Sequence, residues 1–497
     1  MRVRPTPEHS SLTQFSREQP VKTILIGGTW VGAADGCRID VTDPCTGAVF
    51  TQISRGGAED VDLAVKAARS ALDGAWGSLT ATERGRILQR LGQLILENGE
   101  ELARIEARDT GKPMTAARMD AKAVARYFEF YGGAADKVHG QTIPYLDGYN
   151  VSVVRIPHGV TAHIIPWNYP AQMMGRTLAP ALAMGNAAVL KPSEDACQSA
   201  IRLGELAMEA GLPPGALNIV TGYGAEAGAA LTSHPGINFA TFTGSPEVGA
   251  LVQRATADNH VHCALELGGK SPQIVFDDAD LDKAVPIIVK AIVLNAGQTC
   301  SAGSRLLVQQ GIYDRFVGRV AESFAAVKVG TPEMDLDCGP IINERQYRRV
   351  KAFVDEALAT GVPLIAKGEL APELPPGGFF APPMLFGPVP RDHSLASREV
   401  FGPVLSVMPF ANEEDAVGLA NATEYGLVAG VWTENGSRQM RVSHRIQSGQ
   451  VFINCYGAGG GVELPFGGVK KSGHGREKGM VALDEMSTIK TIVQHYK

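Results

Sequence analysis

Long apolar runs are missing from this 497-residue chain. No stretch reaches the ~18–20 consecutive apolar residues that a membrane helix requires, and the first twenty residues, MRVRPTPEHSSLTQFSREQP, hold no apolar core of the kind a secretory signal carries. A cytosolic location without membrane contact is therefore expected. Basic clusters are missing as well. The 46 Lys and Arg stand against 52 Asp and Glu, a formal charge of −6, which offers nothing to nucleic acid. The seven cysteines (37, 45, 197, 263, 300, 338 and 455) are scattered and contain no CxxC pair, so neither a disulfide framework nor a zinc site follows from them. The 11 histidines lack HExxH or similar ligand spacing, and no metal is expected.

What is present is the composition of a soluble globular protein, 44% hydrophobic and 20% charged, long enough for two or three domains. Helical and strand periodicities alternate, which predicts an α/β fold. Residues 59–76 and 82–108 read as two helices, the second with Ile87, Leu88, Leu91, Leu94 and Ile95 on one face. Thr110 to Pro113 then supplies a stop. Between 150 and 156, Val151, Val153 and Ile156 alternate with Ser152 and Arg155, the pattern of an exposed strand able to pair with another subunit.

From residue 159 on, strand candidates end in unusual polar turns. Residues 160–165 run into Pro166-Trp167-Asn168-Tyr169-Pro170, 187–190 into Lys191-Pro192-Ser193-Glu194, and 239–242 into Thr243-Gly244-Ser245-Pro246. Ligands gather at the carboxyl ends of strands in open α/β sheets. In the third turn Ser245 is placed as an N-cap and Pro246 at the first helical position. The free N–H groups of that helix would face an anion, and Gly244 and Gly249 would let a pyrophosphate approach. The segment GYGAEAG at 222–228 has the wrong spacing for a dinucleotide fingerprint and reads as a tight turn.

Two further segments carry reactive groups: LELGGKSP at 265–272, with Glu266, and NAGQTCSAGSR at 295–305, with Cys300. A carboxylate that can activate water and a thiol that can attack carbon are what a covalent acyl-forming enzyme needs. A lone cysteine is ordinarily a small buried hydrophobe. Cys300 departs from that default, because Gln298, Thr299, Ser301 and Gly303 make its surroundings polar and turn-prone after the apolar helical run 291–294. This predicts a thiol at a helix edge, beside solvent.

Seven motifs now stand in the order of one known family: PWNYP at 166–170, KPSE at 191–194, FTGSPEVG at 242–249, ELGGKSP at 266–272, GQTCSAGSR at 297–305, EVFGPV at 399–404 and PFGGVKKSGHGRE at 465–477. From about Ile24 to the C-terminus the chain resembles the aldehyde dehydrogenase superfamily. The resemblance implies a Rossmann-like NAD-binding domain over 1–134 and 157–267, with residues 1–20 as a mobile arm, and an α/β catalytic domain over 268–468. It also implies small β bridging segments at 140–156 and 478–497 that join subunits into a homodimer or homotetramer.

The reaction implied is NAD-dependent oxidation of an aldehyde to its carboxylic acid. Cys300 would form a thiohemiacetal whose oxyanion is held by the Asn168 amide and the Cys300 backbone N–H. After hydride transfer, Glu266 would activate the water that hydrolyses the thioester, and Glu477 matches a second family glutamate that relays protons. For the cofactor, Lys191 and Glu194 would reach the adenosine ribose, Ser245 the pyrophosphate and Glu399 the nicotinamide ribose. Phe401 would pack beside the ring, with Trp167 walling the site. An ionised Glu194 would repel a 2′-phosphate, so NAD is expected over NADP. A CoA-acylating relative would lack the base that Glu266 supplies, a purely structural role would permit loss of Cys300, Glu266 or Asn168, and a cofactor-free hydrolase would leave FTGSPEVG and EVFGPV unexplained.

By the same mapping Tyr169, Met173, Met174, Arg176, Leu294 and Tyr456 line the aldehyde tunnel. Arg176 falls where succinate semialdehyde dehydrogenases bind the substrate carboxylate, yet Leu294 and Gly459 replace the second arginine and the serine that complete that clamp. Arg176 either binds a carboxylate or salt-bridges a neighbour. Tyr169 and Tyr456 could form part of an aromatic cage for betaine aldehyde, which the cation of Arg176 would oppose.

Overall fold

Polar turns at successive strand ends require a parallel sheet, and the computed structural model, which describes residues 21–457 and 461–497, contains one. The expected arm at 1–20 and Gly459 lie outside the described residues. An eight-stranded sheet has the spatial order 29–31, 24–26, 217–219, 187–191, 160–164, 239–243, 262–266, 473–474. Its five central strands are parallel: from Val160–Ile164 the chain steps outward one way to Ala187–Lys191 and Leu217–Ile219, then returns to the other side as Phe239–Thr243 and His262–Glu266. The direction reverses between the 160–164 and 239–243 strands, and a crevice opens at such a switch point. The turns at 166–170 and 243–246 flank it.

A second sheet of seven strands runs in the order 364–367, 384–386, 404–410, 305–309, 272–275, 428–432, 450–453, parallel except for its antiparallel edge at 364–367. Each sheet has its own large apolar core, one including Leu88, Phe128, Leu178, Val189 and Phe239, the other Ile274, Ile288, Leu306, Phe316, Leu405 and Trp432. Strands buried on both faces read as continuous apolar runs, and Ala187–Lys191 and Val428–Trp432 are buried at every position. The fold is α/β, with helices packed against two mainly parallel sheets. Among the described residues no helix is long and apolar enough to cross a membrane.

The alternation at 150–156 belongs to the strand Tyr149–Pro157, which pairs with Gln141–Ile143 and with the C-terminal strand Ser487–His495 in a separate three-stranded sheet. Residues before that last strand stay on the first core, where Ala482, Leu483 and Met486 are buried.

Two local expectations need correction. The single helix expected over 82–108 is two, Ala81–Glu97 and Gly99–Thr110, because Asn98 turns its side-chain amide onto the Leu94 carbonyl at 2.8 Å and ends the first. Gly111 then closes the second at φ 74°, a left-handed position that favours glycine. The segment at 222–228 is not a tight turn but includes a π-helical turn, Gly224–Gly228, leading into a short helix. At Gly249 a Cβ would meet Leu267 Cδ2 at 2.6 Å, so the missing side chain also seats the Pro246–Ala257 helix on the end of the neighbouring strand.

Candidate active site

Glu266 is the last residue of the 262–266 strand in the first sheet, while Cys300 lies in the loop that enters the 305–309 strand of the second. Two glycines following Glu266 allow these parts to meet. A Cβ on Gly268 would sit 2.3 Å from Glu399 Oε2, and one on Gly269 2.4 Å from the Cys300 carbonyl oxygen. The glycine pair of ELGG is therefore a contact surface between the nucleophile loop and Glu399.

The nucleophile loop is held in an unusual shape. After the helix Leu281–Val293, Asn295 and Ala296 take φ of 52° and 53°, and Gly297 takes 70°. Left-handed non-glycine residues cost of order 1–3 kcal/mol each, so neighbours must hold them. Asn295 Nδ2 donates to the Asn168 carbonyl at 3.0 Å, and Gln298 Nε2 donates to the Asn295 carbonyl at 3.1 Å. Gln298 Oε1 accepts from Ile342 N at 2.9 Å. Asn168 Nδ2 donates to the Gln298 carbonyl at 2.9 Å. That bond fixes the orientation of the Asn168 amide, which carries a second N–H.

Lys112, absent from the candidates read in the sequence, completes this frame. Its buried ammonium donates to the Asn168 carbonyl at 3.1 Å, pairs with Glu106 at 3.1 Å and with Asp120, and lies 4.4 Å from the centre of the Tyr169 ring. The one sequence signal was Lys112 itself, a charge in a helix stop; Glu106 and Asp120 are near it in the chain, but Asn168 and Tyr169 are not.

Cys300 is half-buried rather than open to solvent. It packs with Leu427, Val428, Phe466, Phe452 and Tyr456 in a small apolar cluster. Burial first, then the charges of Glu266 and Glu399 against the opposing pull of Arg176, push its thiol up to about 12. Thiolate formation at neutral pH therefore needs a proton acceptor. Tyr169 donates or accepts a hydrogen bond with Thr299 Oγ1 at 3.0 Å, and Tyr456 Oη donates to the Ser301 carbonyl at 2.7 Å. Both tyrosines thus brace the loop. Met173 is buried on the Pro170–Ala183 helix, and Leu294 is half-buried where the preceding helix ends. Phe452 and Phe466, which the sequence did not single out, add to the apolar wall.

Glu266 is 3% exposed and its carboxylate makes no hydrogen bond. Burial raises its proton affinity well above the ordinary carboxylate range, with Arg176 pulling it back and Glu477 adding to the rise. Arg176 Nη2 stands 3.5 Å from Glu266 Oε2, and Arg176 Nε contacts Glu477 Oε2 more closely. The guanidinium also lies over the Phe466 ring, 4.3 Å from its centre. Of the two fates open to Arg176 from sequence, the neighbour salt bridge is the one present.

On the cofactor side, Ser245 Oγ accepts from Val248 N at 3.3 Å and caps the Pro246–Ala257 helix as read from sequence. A Cβ on Gly244 would meet the Phe242 ring at 2.4 Å. Lys191 Nζ and Glu194 Oε2 pair at 2.8 Å at the end of their strand. Glu399 Oε1 accepts from Gly269 N at 2.8 Å, and burial raises its carboxyl to about 7. Phe401 adopts φ 57°, is held by Gln346 Nε2 donating to its carbonyl at 2.8 Å, and stands edge-on to Trp167 with ring centres 5.4 Å apart. The Ser245-capped helix and the 166–170 turn thus stand at strand ends flanking the switch point, with Phe401 against Trp167, and ligands of open α/β sheets bind at such a place.

The description of the aldehyde dehydrogenase family matches residues 30–492. The chain belongs to the aldehyde dehydrogenase family. It is 41% identical over 474 residues to aldehyde dehydrogenase family 2 member B4, mitochondrial, of Arabidopsis thaliana, covering 95% of this chain and 87% of the plant protein. A crystal structure of a candidate aldehyde dehydrogenase from Burkholderia cenocepacia superposes with TM-score 0.95 at 57% identity, covering 95% of this chain and 100% of the other. An NAD+ complex of aldehyde dehydrogenase from Bacillus cereus gives 0.93 at 38% identity, covering 96% and 97%. This aldehyde dehydrogenase is an oxidoreductase that acts on small aldehydes with NAD as cofactor.

Proposed function

We propose that this aldehyde dehydrogenase oxidises neutral aldehydes of medium size, apolar or aromatic, rather than ω-carboxylated semialdehydes. The observation that carries the reading is the engagement of Arg176: it is 4% exposed and already shared by the carboxylates of Glu266 and Glu477. Turning it to a substrate carboxylate would leave two buried anions without their cation. The cluster of Phe452, Tyr456 and Phe466 beside Cys300 supports apolar substrates.

In this reading Cys300, its thiol proton passed to Glu266 or to water, attacks the aldehyde carbon, and the second N–H of Asn168 with the Cys300 backbone N–H stabilises the oxyanion. NAD, when bound, supplies the hydride acceptor. Lys191, Glu194, Ser245, Glu399, Phe401 and Trp167 bind and orient it, with Gly244 at the turn. Glu266 takes a proton from the water that hydrolyses the thioester, and burial, which raises its proton affinity, strengthens it as a base. Glu194 favours NAD over a 2′-phosphorylated cofactor.

The exposed Ile143, Tyr145, Leu146, Tyr149, Ile489 and Val493 on and beside the three-stranded sheet support assembly into a homodimer or homotetramer through that sheet. A cytosolic location completes the reading, and subcellular fractionation checks it.

The test is NADH formation over a panel of neutral and ω-carboxylated aldehydes of matched length. Neutral members should lead by at least ~10-fold in kcat/KM, which corresponds to about 1.4 kcal/mol. A lead of that size for the carboxylated members would overturn the assignment.

A further inference from the structure

The three charged groups behind Cys300 come from three distant parts of the chain, and their contacts are unequal. Arg176 projects from the helix Pro170–Ala183, whose close approach to the Met114–Ala134 helix is permitted at Gly175, where a Cβ would meet Val124 Cγ2 at 2.7 Å. Glu477 is pinned from both sides. Its backbone exchanges two hydrogen bonds with Phe466, at 2.7 and 2.8 Å, and its Oε1 accepts from Thr241 Oγ1 at 3.1 Å. Its other oxygen holds Arg176 Nε at short range, and the Phe466 ring covers the guanidinium. Glu266 receives what is left: a 3.5 Å approach from Arg176 Nη2 and no hydrogen bond at either oxygen. Gly467 leaves room for it, since a Cβ there would stand 2.9 Å from Glu266 Oε1. One cation is thus divided between a carboxylate locked in place and a carboxylate left loose.

We propose that Arg176 is a positioning residue that, anchored on Glu477 and Phe466, sets the pH at which Glu266 works as the base of thioester hydrolysis. The proposal rests on the assignment of Glu266 as that base. The physical reason is competition: a cation close to a buried carboxyl favours its charged form, and the share of Arg176 available to Glu266 is limited by Glu477. Removing the cation should make Glu266 harder to ionise. Removing the competing carboxylate charge should make it easier, both by freeing Arg176 and by deleting a like charge. The other charges facing Glu266 are Arg476 and Glu485 from the C-terminal segment. Those around Arg176 are Tyr127 of the neighbouring helix and Cys300, with Lys478 over the far part of the Phe466 ring at 5.5 Å. None of these is altered in the variants below.

The experiment follows the pre-steady-state NADH burst and the steady-state rate of the NAD-loaded enzyme across pH with one neutral aldehyde. Arg176→Gln should keep a burst and move the rising limb of the steady-state profile to higher pH by about one unit or more, so that activity lost at neutral pH returns in alkali. Glu477→Gln should move the same limb to lower pH. Arg176→Lys, which keeps a charge, should fall between Arg176→Gln and wild type. NAD titration by protein fluorescence establishes that each variant is folded. If Arg176→Gln does not fold, opposite displacements in Arg176→Lys and Glu477→Gln still support the proposal. Equal loss of rate at every pH with the limb unmoved would overturn it, as would an effect confined to the KM of ω-carboxylated aldehydes. Glu266→Gln separates the underlying assignment. If hydrolysis in that variant is as fast as in wild type, the base reading itself fails, whatever Arg176 does.

Discussion

The two halves of this catalytic centre are built from opposite materials. Around Cys300 the structure uses neutral amides, with Asn168, Asn295 and Gln298 holding three consecutive left-handed residues by hydrogen bonds to carbonyls. Around Glu266 it uses buried charge, and the carboxylate makes no hydrogen bond among the described residues. The first half specifies where atoms lie, because a hydrogen bond is directional. The second specifies how strongly a proton is held, because Coulomb interactions in a poorly solvated interior are long-ranged and weakly directional. Substitutions in the nucleophile half should therefore change rate at all pH values alike, and substitutions in the base half should change it unequally.

The largest departures test the two groups themselves. Cys300→Ala should lower NADH formation by ~10⁴-fold or more with NAD affinity nearly unchanged, since no other group can carry the acyl intermediate; substantial turnover would sink the nucleophile assignment. Asn168→Ala comes next. Loss of one oxyanion donor costs ~10²–10³ in kcat, and rapid-quench and steady-state profiles should drop in parallel without moving along the pH axis. A displaced profile would mean that the amide half also governs protonation, and the comparison would fail. Glu266→Gln should show the contrasting behaviour, an NADH burst followed by a slow steady rate that no longer rises with pH. The sign follows from burial: the carboxyl is protonated to higher pH than an ordinary one, so in wild type activity is gained as pH rises and the variant loses that gain.

The same division explains what the sequence disclosed. Local signals were legible wherever a residue acts on its near neighbours: Ser245 capping Val248, Gly111 ending a helix, and the strand ends expected at 165, 190 and 242, within one residue of those at 164, 191 and 243. Cys300, Glu266 and Asn168 stand far apart in the chain, and only the motif resemblance, not any local pattern, joined them into one expected site. Arg176 could not be settled in the same way. Its partners stand at the end of another strand and near the C-terminus, and nothing in the run around it says which carboxylates the fold will bring there. Lys112 was invisible for the same reason, its contacts with Asn168 and Tyr169 being made only after the helices pack. The polar residues flanking Cys300 do not all face water: the thiol is half-buried, and Gln298 spends its amide on Asn295 and Ile342 inside the protein.

Gln298 therefore offers a finer test than the reacting groups. Gln298→Ala removes three side-chain bonds around the left-handed run, to the Asn295 and Pro340 carbonyls and from the Ile342 N–H, each worth roughly 0.5–1 kcal/mol, and leaves the Ile342 N–H buried without that acceptor. The expected result is a loss of ~2 kcal/mol in denaturant stability and a ~10-fold lower burst rate, with the pH limb of hydrolysis in place. The smallest effect belongs to Tyr456→Phe. The ring would stay against Phe452, with which it packs at 5.6 Å between centres, while the 2.7 Å bond from its hydroxyl to the Ser301 carbonyl would be lost. That carbonyl adjoins Cys300, so a slackened loop should slow acylation by a few-fold, in keeping with ~1 kcal/mol, equally at pH 6 and pH 9. Unequal slowing at the two pH values would show that the hydroxyl belongs to the proton-handling half, and the boundary between the halves would have to be drawn through Tyr456 instead of beside Glu266.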